Sequence, residues 1–91
     1  MLILVAYDVP DDKRRTKLAH SLKDFGERVQ YSVFECHLDD AELDVMRKRL
    51  LKLTDPKDDS VRIYRLCAAC AEHIETHGLG RVTEDKEVLI V

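Results

Sequence analysis

Asp8 is the residue of this chain best placed to do chemistry. It follows an apolar run, Leu2-Ile3-Leu4-Val5-Ala6-Tyr7, and precedes a turn signal, Val9-Pro10-Asp11-Asp12. A lone carboxylate at the end of a buried strand has two readings. It caps the following turn, or it is a ligand for a hard cation. Mg²⁺ is commonly held by one or two carboxylates and keeps several waters. One Asp per chain is thin for that task. Two Asp8 side chains meeting across a dimer axis would repel one another and favour a cation between them. A second group is basic: Lys13, Arg14, Arg15 and Lys17, with Lys23 and Arg28 beyond. Arginine offers phosphate a planar, bidentate grip. The same residues also suit a solvated helix face paired with Asp11, Asp12 and Asp24. A later run, Arg47, Lys48, Arg49 and Lys52, reads more simply as such a face, with pairs such as Asp44 to Lys48. A third group is Cys67-Ala68-Ala69-Cys70 followed by His73 and His77. It is compatible with zinc or with a redox pair. All four lie in one short stretch, whereas a tetrahedral structural site draws its ligands from separate elements, so Cys36-His37 would have to contribute. Buried or incidental cysteines are the plainer reading.

Several chemistries are excluded. With 3 glycines in the chain there is no Gly-rich phosphate loop and no dinucleotide fingerprint. Ser21, Ser32 and Ser60 lack nucleophile-elbow flanks. Three Tyr, two Phe and no Trp argue against an aromatic stacking platform for single strands. The net charge of −3 resides in the tail: residues 1–65 hold 13 basic and 13 acidic side chains, residues 66–91 hold 2 and 5. The acidic balance argues weakly against obligatory nucleic-acid binding, yet a clustered basic face binds phosphate even on an acidic protein.

Length and pattern give the frame that positions these groups. Ninety-one residues make a single domain, 1–91. Such a domain buries only roughly 60–65 % of its unfolded surface, so a partner subunit would help it. No stretch approaches the roughly 18 apolar residues that span a bilayer. The N-terminus has no basic leader and the three cysteines make no disulfide framework, so a cytoplasmic protein without membrane attachment is expected. Residues 2–7 read as a central strand buried on both faces. Leu18, Leu22 and Phe25 mark a helix from about 12 to 25, capped by Asp11 or Asp12 and stopped by Gly26. From Arg28 to Leu38 the apolar parity switches midway. Either a bulge or a very tight hairpin lies near Ser32-Val33, and the absence of Gly, Asn or Pro favours one bent strand. Asp39 and Glu42 form a capping box for a helix running to about Leu53. Val61 to Leu66 is a strand, Cys67 to His77 a short helix closed by Gly78, residues 83–87 a charged turn, and Val88 to Val91 a last strand.

This order predicts an α+β, ferredoxin-like two-layer sandwich (a split βαβ) with an extra C-terminal strand. Two helices cover one sheet face only, yet the first strand is apolar on both. A homodimer is therefore expected, with the 78–91 extension pairing with the partner protomer and removing a hydrophobic edge.

Three stretches, taken together, carry a resemblance. They are Ala6-Tyr7-Asp8-Val9 followed by Asp11-Asp12-Lys13-Arg14-Arg15, then Arg28-Val29-Gln30-Tyr31-Ser32-Val33-Phe34-Glu35-Cys36, then Ile63-Tyr64-Arg65-Leu66-Cys67. Over essentially all of residues 1–91 the chain resembles the small CRISPR-associated protein of the second core family, the companion of the integrase in spacer acquisition. The resemblance implies a ferredoxin-like homodimer whose C-terminal strand crosses to the partner's sheet. It implies a phosphodiesterase dependent on Mg²⁺ or Mn²⁺ that cleaves RNA or double-stranded DNA, and a partnership with the CRISPR integrase. Carried onto this chain, the metal-binding residue is Asp8, and Tyr7, Arg15, Arg28 and Phe34 match positions tied to activity or to shaping the site. Lys17 stands where arginine is common and lacks its fork. Lys13, Arg14, Arg15, Lys17 and Arg28 are the candidate nucleic-acid contacts. The alternative is a DNA-binding scaffold without catalysis that bridges integrase dimers. A third reading is a zinc or redox module on Cys67 and Cys70.

Overall fold

A computed structural model describes residues 1–78, 80 and 83. The elements are β1 (Leu2–Asp8), α1 (Asp12–Leu22), β2 (Gly26–Gln30), β3 (Val33–His37), α2 (Asp40–Leu53), β4 (Ser60–Leu66) and the single turn α3 (Ala68–Ala71). The four strands form one antiparallel sheet in the order β2-β3-β1-β4. That order, with α1 and α2 on one side, is the ferredoxin-like sandwich the sequence predicts.

Alternation along β1 decides which side chains go where. Ile3, Val5 and Tyr7 face the helices and are buried with Phe34 and Cys36 of β3, Leu18, Ala19 and Leu22 of α1, and Leu43, Met46 and Leu50 of α2. Val61 and Ile63 of β4 close the same core from the side. Both helices start on aspartate caps. Asp11 accepts from the Arg14 N–H at 2.9 Å. Asp39 and Glu42 exchange both bonds of a capping box, at 2.8 and 3.2 Å. The opposite sheet face carries Leu4, Ala6, Val33 and Tyr64, brought together by the pairings Leu4↔Tyr64, Leu4↔Glu35 and Ala6↔Val33. No helix covers it. Leu4 and Ala6 are only half-buried and Tyr64 is exposed, so within one chain the expectation of a strand buried on both faces is met on one.

The region 26–37 is two strands, not the single bent strand that the local signal favours. β2 and β3 pair across Tyr31-Ser32, and the register also slips between Arg28 and Gln30. A hairpin and a bulge together produce the switch of parity. The hairpin lacks the usual Gly or Asn because neither turn residue takes a positive φ. The turn is held instead by β1, whose Tyr7 N–H donates to the Ser32 carbonyl at 3.1 Å.

Two boundaries also differ from expectation. α1 stops at Leu22, and Lys23 to Phe25 make a tight turn in which Asp24 and Phe25 donate to the carbonyls of Ser21 and Leu22. Gly26 then opens β2 rather than ending the helix. A Cβ there would strike the Glu35 carbonyl, and would lie 2.6 Å from Cys36 Sγ and 2.8 Å from Cys36 Cα. The expected helix from Cys67 to His77 is one turn only, because α3 buries no residue that would extend it. Gly78 does take positive φ, at 83°.

Beyond α3, Ile74 to His77, Gly80 and Thr83 lie over the β1-β3-β2 part of the open face, around a cleft of about 560 Å³. Glu35, 8 % exposed, accepts there from the Thr83 N–H at 3.2 Å and hydroxyl at 2.9 Å. The expected strand at 88–91 and most of the charged turn before it fall outside the described residues. Among the described residues no helix is long and apolar enough to cross a membrane.

α1 is tied to the loop before β4 by Arg14, which binds Asp59 through Nε at 2.9 Å and Nη2 at 3.1 Å. Asp59 also accepts from the Asp55 N–H at 2.8 Å, and its side chain is 1 % exposed. The Arg14 guanidinium, then the Asp55 N–H, hold the Asp59 carboxyl below the usual carboxylate range. A lowered native pKa gives stability that is present above the unfolded value of about 4 and lost as pH falls through the native one. Asp59→Asn should therefore lower stability at pH 7 and flatten its fall below about pH 4, as read by urea unfolding across that range. Gly26→Ala should cost about 1–3 kcal/mol by overpacking against β3; a denaturation midpoint equal to wild type would contradict the close approach.

Candidate nucleic-acid interface

Asp11 fixes the start of α1 and thereby its phase. Arg15, Thr16, Ala19, His20 and Lys23 then fall on the side of the helix that faces the β2–β3 hairpin. Together with Tyr7, Arg28 and Tyr31 they line a cleft of about 310 Å³. No carboxylate lines it, whereas two arginines, a lysine, a histidine and two phenols do. Its electrostatics suit an anion.

Each basic group has a distinct support. Arg15 donates through Nη1 to the Val9 and Pro10 carbonyls at 3.0 and 3.3 Å and pairs with Asp12 through Nη2. That brace steers the guanidinium across the turn between β1 and α1. The bond to Asp12 favours its charged form most, with Tyr31 adding to it. Arg28 pairs with Phe34 in the ladder, and its guanidinium lies over that ring, 5.5 Å from the centroid. Phe34 is fully buried and packs against Tyr7, ring centroids 6.3 Å apart. Of the residues singled out in the sequence, Tyr7, Arg15, Lys23 and Arg28 therefore meet in one cleft. Phe34 lies beneath it, in contact with both Arg28 and Tyr7.

The remaining candidates lie elsewhere. Asp8, one residue after inward-facing Tyr7, alternates to the opposite sheet face at the end of β1, opposite Ser60. It is exposed, and among the described residues no hydrogen bond or ion pair engages its carboxylate. Arg14 is occupied by Asp59. Lys13 and Lys17 are exposed on α1 outside the cleft. On α2, Asp44 pairs with Arg47 rather than with the expected Lys48, and Arg49 pairs with Asp24 at 2.7 Å while lying 4.7 Å from the Phe25 centroid, so the two arginines of that run are engaged.

Thr16, His20 and Tyr31 are cleft residues that the sequence reading did not single out. The helical repeat from Arg15 gives Thr16 and His20. Tyr31 joins them only once the hairpin is recognised, because a single bent strand would carry it elsewhere.

For a metal, Asp8 has the right chemistry, a free hard-oxygen ligand. Among the described residues no group of three or more His, Cys, Asp or Glu side chains converges. Within one chain, Asp8 is therefore not joined by two further His, Cys, Asp or Glu ligands among the described residues. A zinc site on Cys67 and Cys70 finds no third ligand among the described residues. Cys36 is buried, and burial, then Glu35, pushes its thiol up to about 11.

Comparison with known proteins identifies the family. The family described as CRISPR associated protein Cas2 matches residues 1–74. The CRISPR-associated endonuclease Cas2 2 of Thermus thermophilus is 48 % identical over 90 residues, covering 99 % of this chain and 96 % of its own. Further relatives are named CRISPR-associated endoribonucleases. The crystal structure of Streptococcus pyogenes Cas2 is similar at 40 % identity and a TM-score of 0.76, over 86 % of this chain and 100 % of that one. A chain of a partial Cas6-RT-Cas1–Cas2 complex is similar at 29 % identity and a TM-score of 0.63, over 86 % of this chain and 89 % of that one. The chain belongs to the CRISPR-associated Cas2 family.

Proposed function

We propose that this protein is a cytoplasmic component of spacer acquisition that binds nucleic-acid backbone and cleaves phosphodiesters as a homodimer with Mg²⁺ or Mn²⁺. The observation that carries the reading is the juxtaposition at the end of β1. Tyr7 opens into a cleft of basic groups without a carboxylate, and the next residue, Asp8, presents an unengaged carboxylate on the other face. A phosphate in the cleft is held by Arg15, Lys23 and Arg28. Phe34 and the braces on Arg15 fix the two guanidinium groups in advance, which reduces the ordering cost of binding. The neighbouring backbone then runs toward Asp8.

The part of the sheet face left open supports a second chain. Leu4, Ala6, Val33 and Tyr64 have no helix to cover them, and joining two such faces brings two β1 ends together. In that arrangement the two Asp8 residues would hold the cation, and Mg²⁺ there would supply an acidified water and charge compensation at phosphoryl oxygens. The cleft residues supply orientation and charge complementarity. RNA and double-stranded DNA both present the phosphates that this cleft recognises. The integrase as partner is supported by the likeness to a chain of a complex that contains Cas1.

A scaffold reading has an observation of its own in its favour: among the described residues no group of three or more His, Cys, Asp or Glu side chains gathers to hold a metal. The two readings separate in one assay of duplex DNA and single-stranded RNA with Mn²⁺. Wild type is expected to cleave and Asp8→Asn to fall to the EDTA background while binding as before. Cleavage that survives Asp8→Asn contradicts the catalytic assignment; binding without cleavage by either protein favours the scaffold. Arg28→Ala should weaken binding and reduce the slope of log affinity against log salt by about one, the signature of one lost phosphate contact. Arg14→Ala should leave that slope unchanged.

A further inference from the structure

Cys67 and Cys70 are the exposed thiols of the chain and take no part in the reading above. They sit at the far end of the sheet from Asp8, since Cys67 follows Leu66, which pairs with Leu2, while Ser60 pairs with Asp8. The chain leaves β4 at Cys67 in extended backbone, φ −68° and ψ 165°, and turns at once into α3. The Ala71 N–H donates to the Cys67 carbonyl at 2.9 Å and closes the turn. The Cys67 sulfur folds back over it and accepts from the Cys70 N–H at 3.4 Å. The first thiol is therefore docked on the residue that carries the second. That contact brings the Cys67 sulfur onto the backbone of the residue that carries the second thiol, the closeness that an intrachain disulfide needs. Ala68 and Ala69, between them, place no bulky side chain in the way. Among the described residues no third metal ligand joins them.

The three cysteines are chemically unequal. The Cys70 N–H, then the Cys70 thiol, donate to the Cys67 sulfur and hold its pKa below the ordinary thiol value. Cys70 is raised, first through its hydrogen bond with Cys67 and then by the charge there. Cys36 is buried and protonated. The chain thus carries one exposed thiol whose thiolate is favoured, one exposed thiol whose thiolate is disfavoured, and one buried thiol.

We propose that Cys67 and Cys70 form a thiol–disulfide exchange site that reacts with low-molecular-weight disulfides of the glutathione type. The Cys67 thiolate attacks one sulfur of the small disulfide, forms a mixed disulfide and expels one thiolate. That thiolate takes the Cys70 proton. The Cys70 sulfur then attacks Cys67 Sγ, closes the intrachain disulfide and expels the second thiolate. The dithiol loses two electrons, and the small disulfide becomes two thiols. The site stands where the chain departs for the segment over the open sheet face, so oxidation ties down the turn from which that segment starts.

Reduced full-length protein treated with oxidised glutathione at pH 7 tests this by intact mass and thiol counting. Wild type and Cys36→Ser are expected to lose two free thiols and retain no glutathione, reversibly with a dithiol reductant. Cys70→Ser should retain one glutathione on Cys67, and Cys67→Ser should react at least about tenfold more slowly. Both substitutions are at exposed positions, and circular dichroism verifies the fold. Glutathione retained by wild type, equal rates for the two single variants, or a stoichiometric zinc ion that blocks both sulfurs in the protein as purified would each overturn the proposal.

Discussion

The alternation of β1 is the constraint on which the rest of the molecule depends. This strand lies between β3 and β4, and its odd-numbered residues from Ile3 to Tyr7 are buried against two helices. Burying an aliphatic side chain of this kind contributes about 1.5–3 kcal/mol. A slip of one residue would exchange the two faces and expose that set. The register is therefore firm, and it forces Tyr7 toward the helices and Asp8 away from them. The cleft and the carboxylate consequently lie on opposite sides of one sheet, one residue apart. The same strand also holds the hairpin turn, through the bond from Tyr7 to Ser32. A side chain that lines the cleft thus belongs to the residue whose backbone shapes it.

The cleft shows how a protein of net charge −3 presents a basic surface. The acidic residues near it are drawn into other tasks. Asp11 caps α1, Asp12 braces Arg15, and Asp24 pairs with Arg49. Arg14, adjacent to Arg15 in sequence, points to the other side of the helix and locks onto Asp59. Two arginines in succession therefore do different work, one holding the fold and one facing the cleft. The helical repeat of 100° per residue separates them.

Much of this architecture is legible in the sequence, for local reasons. The caps at Asp11 and Asp39 need only their own turn, and the apolar spacing of α1 and α2 reports the core side directly. Asp8 stands out because a charge ends an apolar run. The hairpin escapes because its turn uses ordinary backbone and is stabilised by a distant strand, which no window of sequence contains. Gly26 looks like a helix stop, although its reason for being glycine lies in the neighbouring strand. His20 and Tyr31 escape for the same reason, since their meeting depends on how α1 lies across the hairpin. The segment after Cys67 is over-read as helix because its alanines favour helix while offering nothing to bury.

The central claim is that two chains complete one metal site. Native mass spectrometry of the full chain with Mn²⁺ reads chain number and metal number in the same ion, so it tests the claim most directly. The account requires two chains carrying one Mn²⁺, with the metal lost and the pair retained in Asp8→Asn. A single chain, or a pair that holds no Mn²⁺, would contradict it.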